Sequence, residues 1–203
     1  MIHDIFQKQY MMKFEELVNL LLEDRSVRRF DESKPIPEEI LEKLVALIRL
    51  CASGRNLQPL RYRIVTQEEE RSAVFPALKW AGYLSDWDGP EKGERPTAYL
   101  IQCLDEGLTQ NLLCDDGIQL QALTLGATSL GLRGCIIKSF NMAIIREQLN
   151  LPEKVKPLYV LALGYPVEKV VIDDMKDDDV KYWRDAEGVH HVPKRRAEEL
   201  IIR

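Results

Sequence analysis

Chemistry in this chain would start from four short segments rich in fixed charge, amide side chains or glycine. Arg25-Ser26-Val27-Arg28-Arg29-Phe30 gathers guanidinium groups and a hydroxyl into one connection. Arginine is permanently charged and presents its N–H donors as a planar fork, so Arg25, Ser26 and Arg28 suit a phosphate or a polarised ring carbonyl. Read alone, the stretch is equally a solvated turn balanced by Asp24, Asp31 and Glu32. Ser53-Gly54-Arg55-Asn56-Leu57-Gln58-Pro59 brings Ser53, Asn56 and Gln58 together. Amide side chains both donate and accept, which reading the edge of a heteroaromatic ring requires; a polar turn between elements would have the same composition. In Gly131-Leu132-Arg133-Gly134-Cys135, paired glycines would let backbone N–H groups approach a planar ligand, with Arg133 beside Gly134. The bland alternative is a glycine that ends a helix. The fourth segment, Pro193-Lys194-Arg195-Arg196, is a second phosphate-grade cluster or an exposed basic tail.

Hydrophobic spacing indicates the elements that must position these segments. Phe14, Leu17, Val18, Leu21 and Leu22 follow the stripe of an amphipathic helix that ends near residues 23–24, just before Arg25. Pro37, Glu38 and Glu39 suit the first turn of a second helix, with Ile40, Leu41, Leu44, Val45 and Ile48 as its buried side. Alternation over residues 61–66 predicts a strand, and a charged helix is expected over 68–81. Residues 82–96, rich in Gly, Pro, Asp and Trp, read as an irregular excursion. Residues 97–104 form a short apolar strand candidate. Residues 109–130 predict the longest helix, apolar on more than one side and so buried centrally or at an interface. Strands are expected at 135–137 and 156–164, with Asn141 capping the helix between them. The acidic run 173–179 reads as a solvated loop, followed by a hairpin around Gly188 and a terminal helix over 196–203. Two helices precede the first strand, and strands are few and unevenly spaced. That predicts an α+β sandwich: one domain with a central, mostly antiparallel sheet, the excursion at 82–96 and a C-terminal arm from 180 to 203.

Composition removes several classes. The net charge of −5 and pI near 5.4 argue against nucleic-acid binding. Cys51, Cys103, Cys114 and Cys135 show no C-x-x-C and read as free thiols in a reducing compartment. Residues 1–8 carry no leader pattern, and no run approaches the apolar length of a membrane span, so a cytoplasmic protein is expected. No G-x-G-x-x-G follows a strand, which leaves a Rossmann site unsupported. His190 and His191 are adjacent in a predicted strand and point to opposite faces, so no metal site is expected. Tyr83, Trp87 and Tyr99 are candidates for an acceptor pocket or for core packing.

Taken in order, R-S-V-R-R-F, S-G-R-N-L-Q-P, D-D-G-I-Q-L-Q-A, G-L-R-G-C and H-H-V-P-K-R make the chain resemble the nitroreductase family of FMN-dependent oxidoreductases over residues 14–200. The resemblance implies a homodimer of α+β subunits with two FMN sites at the interface, and NADH or NADPH as the reductant. By it, Arg25, Ser26 and Arg28 would meet the FMN phosphate and the pyrimidine side of the ring. Ser53, Asn56 and Gln58 would reach the flavin from the partner subunit. Arg133 and Gly134 would lie near the reactive edge, and Lys194 and Arg195 would hold the phosphate. The flavin would carry the hydride to a nitroaromatic, quinone or related small acceptor, with no catalytic side chain required. Two positions depart from the family pattern: Asp24 stands where a basic residue is usual, and Leu60 where an aromatic is usual. A flavin-cleaving or dehalogenating relative, with 82–96 as its lid, stays open as an alternative. So do a non-catalytic FMN-storage protein and a structural dimer without nucleotide.

Overall fold

A computed structural model describes residues 12–203; the segment 1–8 read above for a leader lies outside them. Helix α1 (Phe14–Glu23) stops where its stripe stops, with the Asp24 N–H closing on the Leu20 carbonyl. Helix α2 (Glu38–Leu47) follows, with Pro37 capping it and Leu41 and Leu44 fully buried. Four strands form the main sheet: β1 (Leu60–Val65), β2 (Ala98–Asp105), β3 (Arg133–Ile137) and β4 (Val155–Gly164). Their order is β1-β2-β4-β3 and every pairing is antiparallel. The molecule therefore has the expected α+β architecture.

Period-two alternation divides the core between the faces of this sheet. Tyr99, Ile101 and Cys103 of β2 point into one cluster, with Val160 and Ala162 of β4, and helix α5 (Met142–Gln148) contributes Ile145. Ala98, Leu100, Leu161 and Leu163 point the other way, into a cluster with Leu41 and Leu44 of α2. Helix α4 (Asp115–Ser129) lies on that second face through Leu120, Leu123 and Ala127. Asn141 caps α5 as predicted, accepting from the N–H groups of Ala143 and Ile144.

Several boundaries differ from expectation for local reasons. Helix α3 (Glu68–Val74) is shorter than 68–81, because Pro76 follows in a 3-10 turn and breaks the α-helical bonding. Helix α4 begins at Asp115 rather than 109, since Leu113 takes a positive φ that no helix accommodates. It is not buried all round either: Ile118 and Leu130 stay exposed. The terminal helix is a 3-10 turn over Ala197–Leu200.

A second, three-stranded sheet stands apart in the sequence pattern. Strands β5 (Val170–Asp174), β6 (Trp183–Arg184) and β7 (His190–Lys194) take the order β5-β7-β6, with β5 and β7 parallel. The hairpin around Gly188 was legible; β5 was not. Asp173 and Asp174, expected in a solvated loop, pair with Pro193 and Lys194. The main-chain ladder fixes them there, with the Asp173 carboxylate 2.8 Å from His191 Nδ1 and Asp174 exposed.

One buried carboxylate ties this second sheet to the segment 25–30. Glu168, its side chain wholly buried, accepts from the backbone N–H of Arg28 and from Arg184 Nη2 at 2.9 Å. Arg184 in turn lies 4.2 Å over the Trp87 ring of the excursion. Removing one member of a buried pair strands the other charge, at about 3–5 kcal/mol. Glu168→Ala is expected to lower unfolding free energy by that amount in urea titrations and to expose the 183–194 hairpin to proteolysis. A loss below about 1 kcal/mol, the range of surface ion pairs, would contradict the assignment.

Candidate functional site

The segment 25–30 is held along β3, the edge of the main sheet. Ser26 makes a parallel bridge to Gly134, and the Val27 N–H donates to the Gly134 carbonyl at 3.1 Å. Asp24 anchors the start of the segment to α4, accepting from Gln121 Nε2 at 2.6 Å and Thr124 Oγ1 at 2.8 Å. The carboxylate that departs from the family pattern is thus engaged by the helix. Phe30 ends the segment fully buried, its N–H donating to the Glu94 carbonyl at 2.9 Å.

This docking brings Arg25, Ser26 and Gly134 together around a small cavity of about 110 Å³, shared with Asp24, Gln121, Thr124 and Ile136. Arg25 also borders a neighbouring cavity of about 320 Å³ with Arg133, Glu168 and Lys169. Its Nη2 donates to the Leu21 carbonyl at 2.7 Å, while its Nε is sealed from water without a partner. Arg133 pairs with Glu23. An orphaned guanidinium N–H beside a hydroxyl is a donor set that fits a phosphate. The cavity admits only part of a flavin nucleotide, so a larger ligand needs walls from elsewhere.

Gly134 has a different reason from the one expected. A Cβ there would come within 2.9 Å of the Ala162 carbonyl and of Leu161, so the missing side chain admits β4. Gly131, at φ +78°, simply ends α4.

Arg28 turns away from Arg25. Its Nη1 donates to His190 Nε2 at 3.2 Å, and its guanidinium lies 5.0 Å from the Tyr182 ring centre. Tyr182 also packs against His190 and, edge-on, against Tyr83 of the excursion. Arg28 therefore joins the segment to both C-terminal hairpin and excursion. Because Arg28 must donate, His190 carries its proton on Nδ1, which is buried without a partner.

The other segments stand apart within one chain. Ser53 Oγ donates to Asp115 at 2.5 Å and Gly54 N–H to the same carboxylate at 2.7 Å, docking the loop on the first turn of α4. Arg55, Asn56 and Gln58 all take positive φ, and Gln58 Nε2 donates to Asn56 Oδ1 at 3.1 Å, leaving both amides exposed. Nine residues of helix separate Asp115 from Thr124, roughly 14 Å along the axis. Lys194 and Arg195 lie beyond His190 on β7, roughly 13 Å along the strand, and Arg195 pairs with Asp178. The sequence did not reveal Asp115, buried in its role of holding the S-G-R-N-L-Q-P loop, although it opens the D-D-G-I-Q-L-Q-A motif. Glu168 and His190 carried no readable signal, because their partners are far away in the chain. Tyr99 is core, and burial pushes its hydroxyl pKa up.

The chain is an α+β sandwich with a guanidinium-and-hydroxyl pocket on its sheet edge. The sequence model of the nitroreductase family matches residues 22–98 and 105–165, and the chain belongs to that family. It is 29% identical over 162 residues to the oxygen-insensitive NADPH nitroreductase of Salmonella typhimurium, covering 74% of this chain and 66% of that protein. It is 27% identical over 177 residues to the FMN reductase [NAD(P)H] of Bacillus subtilis, covering 76% and 67%. The crystal structure of a nitroreductase family protein from Clostridium difficile superposes with a TM-score of 0.60 at 25% identity, over 77% of this chain and 86% of that one.

The two histidines of β7 respond to pH in opposite directions. Burial, with Arg28 and Arg184 nearby, lowers His190 to about 4, whereas hydrogen bonds to Asp185 and Asp173 raise His191. A histidine depressed on folding binds more protons when unfolded. Its share of stability is full above pH 6.5 and is lost as pH falls towards 4, at most about 3 kcal/mol. His191 stabilises below pH 6.5 and loses that contribution as pH rises through its raised pKa. His190→Phe is therefore expected to lose less stability than the unmodified protein between pH 7 and 4.5, measured as urea midpoints. Parallel decline of the two would contradict a neutral, buried His190.

Proposed function

We propose that the chain is an FMN-dependent oxidoreductase that takes a hydride from NADH or NADPH and delivers it to a nitroaromatic, quinone or related small acceptor. The reading is carried by the juxtaposition of Arg25, with its unpartnered Nε, Ser26 and the Gly134 edge. It agrees with family membership and with the FMN and NAD(P)H named for the relatives above. FMN, when bound, supplies the hydride chemistry. Arg25 and Ser26 would hold its phosphate, with Lys194 and Arg195 as further cations. Arg133 and Gly134 would border the ring. Arg28 keeps the segment locked to the 183–194 hairpin, and in this reading its charge would favour an anionic ring.

The working unit in this reading is a homodimer. Helix α1 buries none of its residues, and its stripe is open, with Phe14 74% and Leu22 54% exposed. Ile118 and Leu130 of α4 add to the uncovered apolar surface. A second copy covering this surface would also supply the walls that a flavin needs, including Ser53, Asn56 and Gln58.

Two experiments test the proposal. The purified protein should be yellow, should bleach anaerobically with NADH or NADPH, and should recolour on adding a nitroaromatic or quinone. Arg25→Ala should weaken FMN binding by about 10–100-fold, the loss of a charge-assisted bond. Colourless protein with no FMN affinity, or bleaching by neither nicotinamide, would overturn it. In sedimentation, Leu21→Asp should give the mass of one chain and lose FMN at least about tenfold, as a distant interface would not. A single-chain mass for the unmodified protein at micromolar concentration would remove the dimer.

A further inference from the structure

A further cavity lies away from the Arg25 cluster, between α3, the end of the excursion and the start of β2. It measures about 210 Å³ and is lined by Arg71, Phe75, Lys92 and Arg95, with Glu32 and Glu68 beside them and Tyr99 as its floor. Nothing in the proposed flavin chemistry uses these residues.

The cations here are poorly served by the protein. Arg71 uses Nε and Nη1 on the carbonyls of Thr66 and Pro96, at 3.0 and 3.2 Å, which leaves Nη2 over. Among the described residues Arg95 has no carboxylate partner: it lies 4.3 Å over the Phe75 ring, and its Nε is shut off from water with no acceptor. The Phe75 ring is itself packed against Trp80. A buried guanidinium N–H without an acceptor is costly and uncommon, and an unplaced ion is one ordinary explanation. Arg71, with Nη2 left over, Arg95 and Lys92 line one cavity and together match an oxyanion, which accepts several charge-assisted bonds at once.

Glu32 decides which oxyanion. One carboxylate oxygen accepts from the Gly93 N–H, and the Glu32 side chain also lines the cavity. A fully ionised anion would be repelled by it. A monohydrogen phosphate or a phosphomonoester monoanion instead offers an O–H that the carboxylate can accept, while its remaining oxygens meet Arg71 and Arg95. The volume is below that of sites for drug-sized ligands, roughly 300–1,000 Å³, so a nucleotide does not fit.

We infer that this cavity is a second anion site, selective for a phosphate group carrying a proton and separate from the flavin phosphate site. The rim is bonded directly to the first motif: Phe30 and Glu32 donate their N–H groups to the carbonyls of Glu94 and Gly93 at 2.9 and 3.1 Å, and Arg29 pairs with Glu94. Occupancy therefore stiffens the same segment that carries Arg25.

Calorimetric titration of the full chain with sodium phosphate at fixed ionic strength tests this, with sulfate and glycerol phosphate as parallel probes. Saturable phosphate binding is expected, weakened about tenfold or more in Arg95→Gln and several-fold in Lys92→Gln, in line with the charge-assisted bonds lost. Lys92 is exposed, so its replacement leaves folding intact. Sulfate should bind more weakly than phosphate. Glycerol phosphate binding as tightly as phosphate assigns the site to phosphomonoesters; weaker binding assigns it to the free ion. The titration is repeated in Arg25→Ala, where this site should persist even though the flavin site is damaged. Absence of saturable binding, equal binding of sulfate, or loss in Arg25→Ala with none in Arg95→Gln would each overturn the inference, and none bears on the flavin reading.

Discussion

Strand β3 is the outer strand of the main sheet, and its free edge has to be covered. An uncovered edge presents unpaired N–H and C=O groups that recruit other chains. Here the cover is the segment 25–30, seated by the Ser26–Gly134 bridge and the Val27–Gly134 hydrogen bond. Everything else about the candidate site follows from that docking. It puts Arg25 over the end of α4, points Arg28 towards the 183–194 hairpin and sinks Phe30 against Gly164, where a Cβ would meet the Phe30 ring at 2.8 Å.

The acids serve this docking more than they serve chemistry. Asp24 and Asp115 fasten two loops to opposite ends of α4, and Glu168 fastens the second sheet to the backbone of Arg28. Arg29 and Glu94 pair through two hydrogen bonds, holding the Glu94 carboxyl below the usual carboxylate range. Arg25 at the sheet edge and Arg95 in the separate cavity are among the arginines without such a pair, and each has a buried Nε without an acceptor. Local pairing rather than net charge sets what each arginine of this acidic chain meets.

Much of the fold was legible because it is encoded over short distances. The α1 and α2 stripes, the β2 and β4 apolar runs, the Asn141 cap and the Gly188 turn all depend on neighbours within a few residues. The missed boundaries have separate causes. The 109–114 stretch is apolar enough for helix, but its backbone is set by the Asp105 carbonyl, which accepts from both Leu108 and Thr109. Strand β5 was hidden because its partner lies twenty residues on in the chain.

The sequence by itself determined the α+β class, the positions of four polar segments and, through their order, the family they resemble. Residue type and spacing suffice for that, since periodicity and donor chemistry are local properties. Only the tertiary structure decided which donors meet. It joined Arg25 and Ser26 to Gly134, turned Arg28 to His190, and left Ser53, Asn56, Gln58 and Lys194 apart within one chain. It also showed that Gly134 is small for the sake of β4. The reason is physical: a side chain's partners are fixed by where strands pair and loops dock, and those contacts join residues more than a hundred positions apart.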